Sequence, residues 1–337
     1  MAERIDYFDV LRGLAIIAVI AIHVSRTGIQ AGEDSINFYV AILWKNIWSY
    51  AVPLFISISG YFLAKKSFYL WHDYFTFLGK QIPRVYLPMF FWSLAFLSLA
   101  MMNSNTTFTY ELIKLITFQS AGPYYFIALI IQYYLLLPLL KKFANIEGLI
   151  ISIVISCLTV GVIFITRYFI GIELPLIIFA GNFLTWGMFF VLGLYLGLGK
   201  QINISNIVLI SFIVVFYLLS CVETYLLVNW FHKPTAIKFS SLFYALSMIL
   251  YLFKNKDLIR TNVLKELGRL SFGIYLVHML VLDLESRALH KLIPMFDQDS
   301  LIHLVLLSAL VVATCAIAIR VTNKMLSSKV SILIGFK

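Results

Sequence analysis

Residues 12–23 read RGLAIIAVIAIH, an apolar stretch that is bounded by Arg12 at one end and by His23 at the other. Apolar runs close to the roughly 20 residues that cross a bilayer as a helix recur along the whole chain of 337 residues. Hydrophobic residues make up 61% of the chain and charged residues only 12%, whereas soluble globular proteins carry about 25% charged residues. The sequence therefore predicts an all-α, polytopic membrane protein.

The apolar runs predict about ten transmembrane helices that form one domain over residues 1–337. The predicted helices are 8–28, 36–62, 84–102, 122–140, 148–168, 174–198, 204–229, 238–253, 268–286 and 300–320. A division of the chain into eight or twelve helices also stays open. Most of the 26 Lys and Arg residues fall in the set of loops that includes both termini, so the positive-inside rule predicts that both termini are cytoplasmic.

Composition also excludes several classes of function. The net charge of +10 does not indicate a nucleic-acid partner, because the basic residues stand between apolar runs and form no long cluster. Cys157, Cys221 and Cys315 lie singly inside apolar runs, so they indicate neither a metal site nor a disulfide. No small-residue cleavage site follows the first apolar run, and we expect its helix to be retained rather than removed as a signal peptide.

The first predicted helix carries two ionisable residues on one face. Arg12 and His23 are eleven residues apart, which separates them by about 20° in azimuth and roughly 16 Å in height on an α-helix. An ionisable side chain inside the bilayer costs at least about 2.5–3.5 kcal/mol, so it is a functional candidate by default. Arg12 can bind an anion that arrives from the cytoplasm, and His23 can act deeper in the membrane. Alternatively, Arg12 pairs with Asp9 as an anchor and His23 only contacts a neighbouring helix.

The ninth predicted helix carries a second polar stripe, formed by Ser271, Tyr275 and His278. Helix packing is the favoured interpretation for Ser271 and Tyr275. His278 is a stronger candidate, because only His23 and His278 among the six histidines fall well inside predicted spans. Two buried imidazoles can orient each other or share a substrate.

Three further ionisable residues are candidates with an alternative for each. Glu223 lies within the seventh predicted helix, where it can orient a histidine or form a salt bridge to Lys233 or Lys238. Lys80 and Arg84 precede the third predicted helix, whose start we expect two prolines to break or kink. These two cations can bind phosphates or serve as ordinary positive-inside anchors.

Four motifs in register resemble the acyltransferase 3 family of bacterial integral membrane O-acyltransferases. They are Asp9-Val10-Leu11-Arg12-Gly13 with His23, Phe55-Ile56-Ser57-Ile58-Ser59-Gly60-Tyr61, the basic segment from Lys80 to Pro88, and Ser271-Phe272-Gly273-Ile274-Tyr275-Leu276-Val277-His278. The chain is similar to stand-alone members without a periplasmic hydrolase-like domain. It departs from the family where Lys80 replaces a frequent arginine, and where Gly122-Pro123-Tyr124-Tyr125-Phe126 replaces a His-Leu-Trp string.

The resemblance implies an O-acyltransferase of the inner (plasma) membrane with several membrane crossings. His23 would be the catalytic base, and the residue pattern itself adds His278 and Glu223 as further catalytic candidates. Acyl-CoA, most commonly acetyl-CoA, would be the donor, and no metal is expected. Donor binding would involve Arg12, with Lys80, Arg84, Ser271 and Tyr275 as further candidates.

The acceptor implied by the family is a hydroxyl group of a cell-envelope or surface polysaccharide, or of its lipid-linked precursor. Transfer can be direct or can pass through an acylated histidine or serine. The competing interpretation is a transporter that exports a glycan or a lipid-linked sugar, since many carriers also have about ten helices with a few buried polar residues.

Overall fold

The computed structural model describes residues 6–25, 35–103, 107–233, 235–256, 258–259, 261–292 and 300–337, and these residues form helices and connecting turns. The α-helices are α1 (Asp6–Val24), α2 (Ile36–Ile47), α3 (Ala51–Leu63), α4 (Trp71–Asn103), α5 (Phe108–Ile116), α6 (Tyr125–Leu140), α7 (Ile146–Phe164), α8 (Leu176–Phe179), α9 (Phe183–Gly197), α10 (Asn206–Phe231), α11 (Phe239–Lys254), α12 (Asn262–Leu292), α13 (Leu301–Met325) and α14 (Ser328–Leu333).

Within the described ranges, nine helical segments are long and apolar enough to cross a membrane, if α2 and α3 are taken together as Ile36–Leu63. The shorter apolar helix α11, with 16 residues, corresponds to the eighth predicted helix, 238–253, and brings the number of described apolar segments to ten. The all-α, multi-pass membrane fold is thus confirmed. The predicted end of the first helix at residue 28 lies outside the described residues.

The chain divides into two compact units. The first comprises Met1–Phe55 and Ile202–Arg320, and the second comprises Ile56–Gln201 and Val321–Lys337. In the first unit, α1 packs along α12 while α10 packs against α2 and α11; in the second, α9 packs against α6 and α7. Whether the chain acts as the single domain that the sequence predicted stays a prediction.

The predicted helix 36–62 is interrupted, because a turn at residues 48–50 separates α2 from α3. Two side-chain hydrogen bonds to backbone carbonyls lie at this turn. The Ser49 hydroxyl donates to the Asn46 carbonyl at 2.9 Å, and the Asn46 amide donates to the Ile42 carbonyl at 2.8 Å. Pro53 follows within the first turn of α3, where its missing N–H group is tolerated.

The predicted start of the third helix at residue 84 is wrong. Helix α4 begins at Trp71 and continues through Pro83 and Pro88, so Lys80 and Arg84 lie inside a helix rather than before one. A proline removes one backbone hydrogen bond and crowds the carbonyl four residues earlier. For Pro83 that residue is Gly79. A Cβ added to Gly79 would meet no atom within 4 Å outside its own turn of helix. Membrane helices accommodate such interruptions of the hydrogen-bond pattern.

Helix α5 was not predicted. It has only nine residues, and its apolar side chains are more strictly confined to one side than in any described helix of 12 or more residues. A search for apolar runs of about 20 residues does not detect a short amphipathic helix. Its Thr107 cap accepts a hydrogen bond from the Tyr110 N–H at 3.3 Å.

Two helix pairs meet through glycine. At the α1–α12 crossing, a Cβ on Gly268 would lie 1.7 Å from the Asp9 carbonyl oxygen, and one on Gly13 would lie 2.0 Å from the Leu264 carbonyl oxygen. At the α3–α9 crossing, a Cβ on Gly193 would lie 2.1 Å from the Ser57 carbonyl oxygen. The predicted close packing of the FISISGYF segment is therefore observed, since only glycine permits these approaches.

Candidate active site

Helix α1 carries Arg12 and His23 on one uninterrupted helix, as the sequence predicted. Its first turn begins with acidic residues and its last turn contains His23, an arrangement that complements the helix dipole. Eleven residues at about 1.5 Å each separate Arg12 from His23 by roughly 16 Å along the axis. The helix therefore presents an ionic end and an imidazole end.

At the imidazole end, the structure brings His23 of α1 and His278 of α12 together. Their ring centroids are 5.4 Å apart with an interplanar angle of 47°. His278 is fully buried, and His23 is partly exposed. The two histidines lie ten residues beyond Gly13 and Gly268, the glycines at which α1 and α12 approach most closely.

The tautomer of His278 is fixed by its own helix. Its Nδ1 lies 2.7 Å from the Tyr275 carbonyl oxygen, and a carbonyl only accepts, so Nδ1 must carry the hydrogen. In the neutral imidazole the lone pair is then on Nε2. This buried Nε2 atom has no hydrogen-bond partner within the part of the chain that the structure describes. His278 thus has an unused acceptor beside His23.

The other members of the α12 stripe are also buried. Ser271 is 6% exposed and Tyr275 is 7% exposed. The Tyr275 ring centroid lies 6.0 Å from that of His278, so Tyr275 contacts the imidazole with its ring and fixes it with its carbonyl. Their candidate role in donor binding stays a prediction.

At the ionic end, Arg12 pairs with Asp9, as the anchor interpretation expected. The Arg12 Nη1 atom lies 2.9 Å from Asp9 Oδ1, and the Asp9 side chain is fully buried. Arg269 of α12 approaches the other oxygen of the same carboxylate at 3.6 Å. Lys265 forms an ion pair with Asp6. Neither Arg269 nor Lys265 was identified from the sequence.

Glu223 contacts the start of α11. Its Oε2 accepts hydrogen bonds from the Ser240 hydroxyl and from the Ser240 N–H, the latter at 3.3 Å. A carboxylate at the first turn of a helix stabilises it through the helix dipole. These contacts give Glu223 a structural task, and its predicted role in catalysis stays a prediction.

Lys80 and Arg84 belong to the second unit. They lie one turn apart on α4, and both are exposed. Because residues four apart share one face of a helix, the two cations form a pair that a phosphate group can reach. Their predicted role in donor binding stays a prediction.

The sequence indicated Lys238 only as an alternative salt-bridge partner of Glu223, and sequence reasoning missed that this residue is a buried cation of the first unit, bonded to other groups. Lys238 is 1% exposed, and its Nζ atom donates to Asn46 Oδ1 at 2.6 Å and to the Ser220 carbonyl oxygen at 2.9 Å. These bonds join α2, α10 and the start of α11. The signal was present in the sequence, because Asn46, Ser220 and Thr224 are polar residues inside apolar runs. Helix α2 in turn contacts α1, where the Trp44 indole N–H donates to the Ala21 carbonyl at 2.9 Å.

Comparison with known proteins assigns the family. A family model described as an acyltransferase domain, that of the acyltransferase 3 family, matches residues 5–320. The chain belongs to the acyltransferase 3 family. The match includes the entire first unit that the structure describes, and with it both ends of α1 and α12.

Two similar curated proteins share the name nodulation protein NolL. The one from Sinorhizobium fredii is 28% identical over 168 residues, which are 48% of this chain and 44% of that protein. The one from Mesorhizobium japonicum is 30% identical over 151 residues, which are 43% of this chain and 38% of that protein. The chain therefore spans less than half the length of these relatives. No solved structure matches the chain.

Proposed function

We propose that this acyltransferase 3 member is an O-acyltransferase of the inner membrane. It moves an acetyl, succinyl or other short acyl group from cytoplasmic acyl-CoA to a hydroxyl group of a cell-envelope polysaccharide or its lipid-linked precursor. The observation that carries the proposal is the His23–His278 pair, 5.4 Å apart between ring centroids, with the buried His278 Nε2 open as an acceptor.

In the proposed reaction, His23 removes the proton of the acceptor hydroxyl as its oxygen attacks the thioester carbonyl carbon. A new C–O bond forms, the C–S bond breaks, and the thiolate of coenzyme A takes up the proton. An imidazole suits this work because its unperturbed pKa is near neutrality. His278 holds the acceptor or His23 through Nε2, while its Nδ1–H group stays on the Tyr275 carbonyl.

The ionic end supports donor binding in this proposal. Arg12 holds a phosphate group of acyl-CoA at the cytoplasmic end of α1, and the roughly 16 Å between Arg12 and His23 is similar to the length of an extended pantetheine arm. Lys80 and Arg84, in the second unit, stay phosphate-binding candidates on the family resemblance alone. The cytoplasmic placement of this end rests on the positive-inside rule.

Release of free thiol from acetyl-, succinyl- and longer acyl-CoA by the purified protein in lipid tests the function. We expect turnover that falls by roughly 10²- to 10⁴-fold in His23→Ala, since that is the usual contribution of a general base. His72→Ala is the matched control, because His72 is exposed on α4, and we expect it to keep full activity. If no donor turns over, and glycan movement across vesicles survives His23→Ala, the transporter interpretation replaces this one.

A further inference from the structure

The ionic end of the first unit holds two guanidinium groups on one buried carboxylate. Arg12 of α1 and Arg269 of α12 approach the two different oxygens of Asp9, at 2.9 Å and 3.6 Å. The carboxylate itself is fully buried, whereas the side chain of Arg12 is 26% exposed and that of Arg269 is 46% exposed. Asp9 thus lies between the two arginines, hydrogen-bonded to Arg12 and at a longer ion-pair distance from Arg269, and both arginine side chains are partly exposed.

The backbone geometry explains why Arg269 lies there. Gly268 contacts the carbonyl oxygen of Asp9 so closely that an added Cβ would lie 1.7 Å from it. The next residue along α12 is Arg269, which this contact brings beside the Asp9 side chain. The position of the second guanidinium is thus a consequence of the glycine crossing between α1 and α12.

The charges at this end favour an anion. Arg12, Arg269 and Lys265 are three cations, and they surround the two carboxylates of Asp6 and Asp9. Among the described residues of this cluster, the cations outnumber the carboxylates by one, and the side chain of each cation is partly exposed. Two arginines beside one carboxylate can provide the planar, multidentate hydrogen bonds with which proteins bind a phosphate group.

We propose that Arg12 and Arg269 form a phosphate clamp, with Asp9 as the positioning residue that holds both guanidinium groups. The ligand is a phosphate ester, and the proposed function identifies it as a phosphate group of the acyl donor, so this inference rests on that function. Arg269 is then a second donor-binding residue, contributed by the same helix that carries His278.

Binding of free coenzyme A to the full chain in phosphatidylcholine nanodiscs tests the clamp without any turnover. We expect Arg269→Gln to weaken binding by roughly 10- to 100-fold, in line with the loss of a charge-assisted hydrogen bond. Arg269→Lys keeps the charge but loses the forked donors of the guanidinium, so its affinity for coenzyme A should lie between those of the native chain and Arg269→Gln. Arg287→Gln is the matched control, because Arg287 is an exposed arginine of the same helix that pairs with Asp283; its affinity should equal that of the native chain.

The positioning role of Asp9 has its own readout. Asp9→Asn should raise KM for acyl-CoA by a similar factor while kcat stays within a few fold, and Asp9→Glu should recover part of the loss. If Asp9→Asn fails to fold, the Arg269 variants still decide the question, since Arg269 is 46% exposed and tolerates replacement.

The outcomes separate this inference from the function on which it rests. Native coenzyme A affinity in Arg269→Gln overturns the clamp, even if thiol release continues. Loss of coenzyme A binding in Arg269→Gln supports the clamp, even if no acyl donor is turned over. If Arg269→Gln binds coenzyme A normally and alters only stability in nanodiscs that contain phosphatidylglycerol, the site serves anionic lipid headgroups and the proposal is overturned.

Discussion

Helix pairs α1–α12 and α3–α9 both pack closely through glycine, but they carry different side chains at the contact. Each crossing depends on glycines whose added Cβ would lie about 2 Å or less from a backbone oxygen of the partner helix. The α1–α12 pair carries Asp9, Arg12, His23, Arg269 and His278. At its own crossing, the α3–α9 pair presents the Ser57 hydroxyl, which donates to the Phe189 carbonyl at 3.0 Å.

This difference teaches that close helix packing in the chain is not by itself a mark of function. Glycine brings the backbones together in both pairs because van der Waals packing, rather than the hydrophobic effect, drives helix association in a bilayer. What distinguishes α1–α12 is that ionisable side chains stand at the contact, where their burial is costly without a partner. We expect the rate of thiol release to depend on the α1–α12 pair alone, and the stability against thermal unfolding to depend on both pairs.

The largest expected effect is on the rate, in the pair with the imidazoles. His278→Asn keeps a side-chain N–H for the Tyr275 carbonyl and removes the Nε2 acceptor, so we expect thiol release to slow by roughly 10²-fold, the cost of a misplaced reacting group. Ser57→Ala in the other pair should leave the rate unchanged and reduce stability by about 1 kcal/mol. Thiol release and thermal unfolding of both variants check this. Full activity in His278→Asn would sink the role proposed for His278.

The second expected effect is on stability and should appear in both pairs. Gly268→Ala and Gly193→Ala place a methyl group against a backbone oxygen, and we expect each to reduce stability by about 3 kcal/mol, at the upper end of overpacking costs. Gly268→Ala should also weaken coenzyme A binding, because it displaces Arg269 from Asp9, whereas Gly193→Ala should not.

Gly79→Ala in α4 is the control for both substitutions. Outside its own turn of helix, no atom lies within 4 Å of the Cβ that it would add, so the protein should unfold at the native temperature or slightly above it. Equal coenzyme A affinity in Gly268→Ala and the native chain would contradict the proposed link between the α1–α12 crossing and the clamp.

The smallest expected effect concerns the support of α1 by α2. Lys238→Ala removes the lysine donor from a buried cluster in which Asn46 Oδ1 still accepts from the Ser220 and Thr224 hydroxyls, and we expect a loss of about 2 kcal/mol in stability, as for a hydrogen bond to a charged group. The rate per folded molecule should change less than in His278→Asn. Thermal unfolding in lipid checks the first expectation and thiol release the second, with Lys256→Ala, at an exposed position, as the control. An unchanged unfolding temperature in Lys238→Ala would show that these hydrogen bonds contribute nothing net.

Hydropathy predicted the spans well because a bilayer allows only helices whose backbone groups are satisfied internally. It did not detect the turn between α2 and α3, within a segment that still counts as one span. It also failed at α4, because proline was taken as a boundary although membrane helices continue through it. The short amphipathic helix α5 was missed because its signal is one-sidedness rather than length.

The candidate site was predicted in part. Arg12, His23 and His278 were identified because ionisable residues inside apolar runs stand out without any structure. Their partners were not. Arg269 and Lys265 look like ordinary loop cations in the sequence, and Asp9 looks like the pair of Arg12 alone.

By itself, the sequence determined that the chain is a multi-pass helical membrane protein of the acyltransferase 3 family, since composition, apolar run length and four motifs in register are local properties. Only the tertiary structure decided that His278 stands beside His23 and that Arg269 shares a carboxylate with Arg12. These contacts join residues more than 250 positions apart, and they depend on how closely two helices can cross. That distance is set by the absence of a Cβ at Gly13 and Gly268, whose effect appears only when both helices are in place.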